Sequence, residues 1–226
     1  MAEHRGPSVG LRVLAVVLMG LTVFFTLMGA IGTSCVALGA EKFGSMAVLV
    51  PYKPLYQVLV VISLAAGIWG IPVTVALVKG APKAYRNALI VLVVGAVTAG
   101  IQTFVSQAVR GKSAPVNMRF GITAFTLLVF LLFRIPGLWQ HLDFTKTIRG
   151  RARGASGGAA LIICGGIAMS APAWVGVTHM QHWIAVLGWQ LQLAGWVMLA
   201  LGLGLLAYAS LPGKKLAIVQ PISERL

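Results

Sequence analysis

Six continuous apolar runs dominate the chain: Val13–Thr33, Tyr56–Val78, Asn87–Val109, Phe120–Leu138, Gly158–Thr178 and Trp183–Ser210. Each approaches or exceeds the ~20 residues that a helix needs to cross ~30 Å of hydrocarbon. One charge, Arg134, falls inside them. The runs do not alternate apolar with polar positions, as the strands of a membrane barrel would. In hydrocarbon every backbone N–H and C=O needs an internal partner, so these runs predict helices. The expected fold is all-α: a polytopic integral membrane protein with six transmembrane helices. The fourth run is the weakest, because its uncharged core, Gly121–Phe133, is short. Arg119 and Arg134 flank that core and are expected to snorkel to the headgroups. Trp139 follows as an interfacial residue.

Composition agrees. Of the 226 residues, 58% are hydrophobic and 10% charged, and the mean hydropathy is +0.92. An ordinary soluble domain carries about 25% charged residues, so a soluble enzyme, a disordered chain and a disulfide-rich secreted scaffold are all excluded.

The net charge is +14, from 18 Lys and Arg against 4 Asp and Glu. There is no aromatic-basic interleaving and no nucleic-acid module, so nucleic acid is not an expected partner. The cations lie between the apolar runs, where they set orientation. With the N-terminus in the cytoplasm, the inside segments carry Arg5 and Arg12; Lys79, Lys83 and Arg86; Arg134, Lys146, Arg149, Arg151 and Arg153; and Lys214, Lys215 and Arg225. The outside segments carry only Lys42, Lys53, Arg110, Lys112 and Arg119. The expected location is therefore the cell membrane, multi-pass, with both termini cytoplasmic (N-in/C-in). The first run is longer than the 7–15-residue core of a secretory signal and is read as a retained helix.

The loop Gln140–Gly158 marks the natural boundary. Its first half is mildly amphipathic, and its second half is Gly-rich and basic and reads as flexible. Three units follow: a four-helix unit, 1–140; a basic cytoplasmic linker, 141–157; and a helical hairpin with a short tail, 158–226. The basic stretch 146–153 is expected to attract anionic lipids.

Lipid tails are as apolar as Leu, so small residues must let the helices approach. Ala65, Ala66, Gly67 and Gly70 mark a seam on the second run, and Gly95 and Gly100 another on the third. Gly158, Ile162 and Gly166 form a row on the fifth, and Gly188 and Gly195 share a face of the sixth. Pro72 and Pro172 are expected to bend or end their helices.

No catalytic constellation and no metal site emerge. Glu3, Glu41, Asp143 and Glu224 all lie outside the runs, which disfavours an ion-coupled pump. His179 and His182 are spaced for one helical face but lack a third ligand. With Trp189 and Gln190 they are the weak candidates for holding a haem or a quinone, and no cofactor is predicted. Gln102, Gln190 and Gln192 need hydrogen-bond partners inside the membrane. Trp189 and Trp196 share a face.

The loop Ser34–Pro54 is too apolar for a solvated connector and is expected to cover the outer mouth or dip into the membrane. Cys35, Glu41 and Lys53 in that loop, together with Arg110 and Arg119 beyond the third run and Gln102 within it, are the candidate ligand or partner contacts. Glu41 is expected to pair with a cation of the segment Arg110–Arg119. The leading expectation is a non-enzymatic accessory or structural subunit of a larger membrane complex, contacting a protein partner or a second copy of itself. The alternatives are a transporter or channel for a small neutral solute or lipid, acting as an oligomer, and a quinone- or haem-associated redox subunit. In a background lacking Cys35 and Cys164, cysteines introduced beside Arg151 should be labelled only from the cytoplasm, and those beside Lys112 only from outside. Labelling of both from one side would refute the six-span topology.

Overall fold

The computed structural model describes residues 9–42, 44–113, 116–142, 144, 151–175 and 181–211. Seven α-helices follow one another: α1 (Val9–Gly39), α2 (Lys53–Lys79), α3 (Ala84–Arg110), α4 (Val116–Leu132), α5 (Pro136–Leu142), α6 (Arg151–Val175) and α7 (Gln181–Ser210). Two 3₁₀ segments, Ala40–Lys42 and Gly44–Tyr52, join α1 to α2. No strand occurs among the described residues. Four apolar stretches are long enough to cross a membrane, Gly10–Lys42, Met46–Lys79, Ala84–Arg110 and Gly188–Ser210. Val116–Leu132 and Gly154–Ser170 are shorter apolar helical stretches.

Helices α1 to α4 form a closed ring in which each packs on the next and α4 returns to α1. The α2–α3 turn shows why the chain reverses so tightly. Gly80 adopts a left-handed conformation (φ 68°). Its N–H reaches Leu77 O, and Ala81 N–H reaches Ala76 O at 2.9 Å. This 6→1 and 5→2 pair pairs the last carbonyls of α2, and Pro82 then prevents the helix from continuing. Pro72 does not end α2, which runs on to Lys79. Pro72 faces outward, and its missing N–H withdraws one donor from the helix ladder.

The fourth run departs from its expected limits, Phe120–Leu138. α4 stops at Leu132 and has only 17 residues, or ~25 Å at 1.5 Å per residue. A turn containing the exposed Arg134 follows, and then α5. The neighbours of α4 fix its height. A Cβ on Gly95 would lie 3.3 Å from Thr123, and one on Gly100 would lie 3.2 Å from the Phe120 ring. Phe120, at the start of the second turn of α4, therefore sits about ten residues or ~15 Å below Arg110 along α3.

The ring has two apolar clusters. At its Lys79 end, Val16, Met19, Leu77, Leu92 and Phe130 pack with Leu142 and Phe144, which fold back from α5. Tyr85 stacks on Phe130 and Phe144 and meets Trp139 edge-on at 4.8 Å. The Arg12 guanidinium lies 5.8 Å from the Phe144 ring centroid and donates to Leu77 O. At the Arg110 end, Val36, Ala37, Ala40, Leu49, Tyr56 and Val60 pack with Met46, Val105 and Val109. No α4 residue takes part in that second cluster. The 3₁₀ segment, through Met46 and Leu49, occupies the place that the short α4 leaves.

Helices α6 and α7 form an antiparallel hairpin whose α6 docks on α1, where a Cβ on Gly20 would sit 3.6 Å from Ala160. The expected flexible stretch before Gly158 is instead helical from Arg151. Its glycines are seam rather than slack. A Cβ on Gly154 would lie 3.0 Å from Leu205 O, and one on Gly158 would lie 2.7 Å from Gly202 O. Gly165 and Gly195 continue the seam, with 2.8 Å from the Gly165 position to Gly195 O. The seven-residue spacings 158/165 and 195/202 therefore pair across the hairpin. The expected row through Gly166 is not the seam, because Gly166 faces open space.

Gly195→Leu should destabilise the chain by about 1–3 kcal/mol through overpacking against Gly165 and Met169. Gly166→Ala should be neutral, or stabilising by up to about 1 kcal/mol, because it removes helix-interior glycine entropy without a clash. Thermal unfolding in detergent distinguishes the two.

Candidate functional site

Between the two apolar clusters the interior of the four-helix ring is polar. Thr22, Thr26 and Thr33 of α1, Ser63 of α2, Thr98, Gln102 and Ser106 of α3, and Arg119, Thr123 and Thr126 of α4 are all buried. They recur at helical spacing on the faces turned towards the ring axis, in positions where apolar residues occupy the two ends. From Thr22 to Thr33 the row covers eleven residues of α1, or ~16 Å.

Arg119 is the centre of this row and is 2% exposed. Its Nη2 donates to Ser63 Oγ at 2.7 Å and to Thr98 Oγ1 at 3.1 Å. Its Nη1 donates to Gln102 Oε1 at 3.3 Å. The Gln102 amide in turn donates from Nε2 to Thr33 Oγ1, and Thr33 donates to Gly29 O at 2.6 Å. Thr123 donates to the Arg119 carbonyl at 2.8 Å. The Arg119 Nε is buried and has no hydrogen-bond partner. Below the cluster Thr22 donates to Thr126 at 2.9 Å, and above it Tyr56 and Ser106 share a proton contact at 2.7 Å.

Gly29 makes this arrangement sterically possible. A Cβ there would stand 2.6 Å from Arg119 Cδ, so α1 leaves a groove for the arginine stem. Glycines on α2 serve the neighbouring seam, where Gly67 and Gly70 admit Leu27 and Val23. Every group that holds the guanidinium is neutral. Glu41 is the one acid among the described residues, and it bonds Lys53 at 3.1 Å on the exposed rim.

Two expectations are corrected here. Arg119 does not snorkel, because it lies on the face of α4 turned into the ring, where Ser63, Thr98 and Gln102 receive its guanidinium, while its neighbours Asn117 and Met118 stay exposed. Glu41 does not pair with Arg110 or Arg119. Its partner is Lys53, twelve residues along the same connection, where both side chains leave the surface together.

Four of the expected contact residues meet in two pairs, Gln102 with Arg119 and Glu41 with Lys53. Arg110 is half-buried at its own end of α3, and Cys35 is a free, half-buried thiol. Cys164 is free and buried on α6. Trp189 and Gln190 are exposed on α7, whereas Gln192 donates to Met169 O at 3.0 Å across the hairpin. His179 and the stretch 145–150, with Lys146 and Arg149, lie outside the described residues, and so does the His182 side chain. No group of three or more His, Cys, Asp or Glu capable of holding a metal occurs among the described residues.

The serine and threonine partners were not singled out from the sequence. The usable signal was their spacing: Thr22, Thr26 and Thr33 fall on one face of α1, as Thr98, Gln102 and Ser106 do on α3. The chain matches no protein-family model, no curated protein and no solved structure.

Gln102→Leu should cost about 2–3 kcal/mol, because it removes a hydrogen bond from a charged donor and one from Thr33. Gln190→Leu should stay within about 0.5 kcal/mol, as for an exposed position. Equal effects in a melting comparison would contradict the placement of Gln102 in the Arg119 cluster.

Proposed function

We propose that the chain is a six-span integral protein of the cell membrane with both termini in the cytoplasm, acting without catalysis as an accessory subunit of a larger membrane complex. In this reading the two shorter apolar helices, α4 and α6, complete the six spans. The basic stretch 146–153 meets anionic headgroups at about 1 kcal/mol per basic residue near the surface.

The observation that carries the subunit reading is the openness of α7. Its apolar stretch is 11% buried, against 39–44% for the other three long stretches. Trp189 and Trp196 are exposed on it, and Gln190 stands beside them. An amide facing hydrocarbon has no partner there, whereas a helix of a neighbouring subunit supplies one. Indole rings also give large, stiff contact surfaces. The partner is accordingly a membrane-embedded protein, a second copy of this chain included.

The polar middle of the four-helix ring supports a second reading, passage of a small solute. The buried guanidinium disfavours a cation and leaves neutral or anionic solutes. The redox reading rests on His179, His182, Trp189 and Gln190, of which Trp189 and Gln190 are exposed on α7.

Purification in mild detergent should yield the chain with a stoichiometric partner or as a defined oligomer. Gln190→Leu combined with Trp196→Ala should release that partner and leave the melting temperature of the isolated chain unchanged. Crosslinking in native membranes that captures only a 23.8 kDa species would overturn the subunit reading, and solute flux into proteoliposomes would favour the second.

A further inference from the structure

The guanidinium of Arg119 sits near mid-height of the ring with no counter-charge beside it among the described residues. Burying one ion without its partner costs several kcal/mol. Neutral hydroxyls and an amide reduce that cost but leave the charge itself uncompensated. The cluster is also short of acceptors. Nε carries a proton that no protein atom receives. Gln102 Nε2 carries two protons, and Thr33 receives one of them. Ser63 Oγ accepts from Nη2, so its own proton remains to be donated. Nη1 also keeps a second proton beyond the one given to Gln102, so four donor protons and one full positive charge face a set of groups that offers too little negative charge in return.

We propose that the cluster of Arg119, Ser63, Thr98, Gln102 and Thr33 is a binding site for a small monovalent inorganic anion of the halide class. One guanidinium calls for one negative charge, so a divalent anion would exchange an uncompensated cation for an uncompensated anion. The helices approach closely here, with Gly29 against the arginine stem and Gly95 against Thr123, which favours the smallest monovalent anions. A halide accepts from N–H and O–H donors in several directions, which suits a set made of guanidinium, hydroxyl and amide protons. The surface above the site favours the same sign. Lys42, Lys53, Arg110 and Lys112 surround the Arg110 end, with Glu41 as the described acid among them, and such a field concentrates anions. The Tyr56–Ser106 pair continues the row of hydroxyls towards that end. The proposal does not depend on the subunit reading, since a bound halide serves a static subunit as well as a solute path.

The test uses the full chain in detergent, with chloride replaced stepwise by gluconate at constant ionic strength. Chloride and bromide should raise the melting temperature saturably, and gluconate should not. Ser63→Ala should raise the half-saturating chloride concentration about five- to tenfold, as expected for the loss of one hydrogen bond. Arg119→Met should abolish the chloride dependence. Should Arg119→Met fail to fold, Ser63→Ala decides the matter through its own shift, with Thr98→Val, whose hydroxyl proton is already given to Val94 O, as the control that leaves the anion donors in place. Wild-type melting that is indifferent to the anion, or a Ser63→Ala variant that keeps the full wild-type chloride response, would overturn the proposal.

Discussion

A guanidinium placed in the middle of an apolar helical ring is the constraint on which the rest of this structure depends. It brings five N–H donors and a charge that hydrocarbon does not solvate. Three helices answer with side-chain oxygens: Ser63 on α2, Thr98 and Gln102 on α3, and Thr33 on α1, through Gln102. The demand explains features that look unrelated along the chain. Gly29 must lack a side chain because the arginine stem lies against it. α4 is short, 17 residues, and its second turn stands at the height of Gly100. A short α4 leaves one quarter of the ring empty at the Arg110 end, and the apolar 3₁₀ segment Gly44–Tyr52 fills it.

The same reasoning separates the two halves of the described chain. The four-helix ring is held by a polar middle between two apolar clusters, so its specificity comes from hydrogen bonds that have one correct register. The α6–α7 hairpin has no such middle. It is held by backbone approach, with Gly158 against Gly202 and Gly165 against Gly195, and Gln192 donates to Met169 O across it. The ring specifies its pairings by chemistry, and the hairpin specifies its pairing by shape.

Much of the helical content was readable from the apolar runs, because backbone satisfaction in hydrocarbon leaves helices as the spanning element. The ends of the runs were less readable. Val13–Thr33 continues as helix to Gly39, since nothing local stops it, and Gly154 reads as linker until the backbone of Leu205 is seen against it. Arg119 was misread for a definable reason. A charge at the edge of an apolar run snorkels if the run starts at the membrane surface, and the height at which a helix starts depends on its neighbours, not on its own sequence. The Thr and Ser partners share this opacity, because a hydroxyl in a membrane helix can bond its own backbone. Thr98 does so while also accepting from Arg119.

Helix α1 touches both halves: α2 and α4 on one side, and α6, through Gly20 and Ala160, on another. About 140 residues separate those two contact positions. At roughly 5–20 residues per second of synthesis, the α6 side of α1 waits on the order of ten seconds for its partner. During that interval the four-helix ring can close, while the Gly20 face is covered only by lipid. That face is smooth and unbranched at Gly20, so lipid chains leave it readily when Ala160 arrives. The glycine that lets α6 dock closely therefore also leaves the waiting surface open to any other small-faced helix that arrives first.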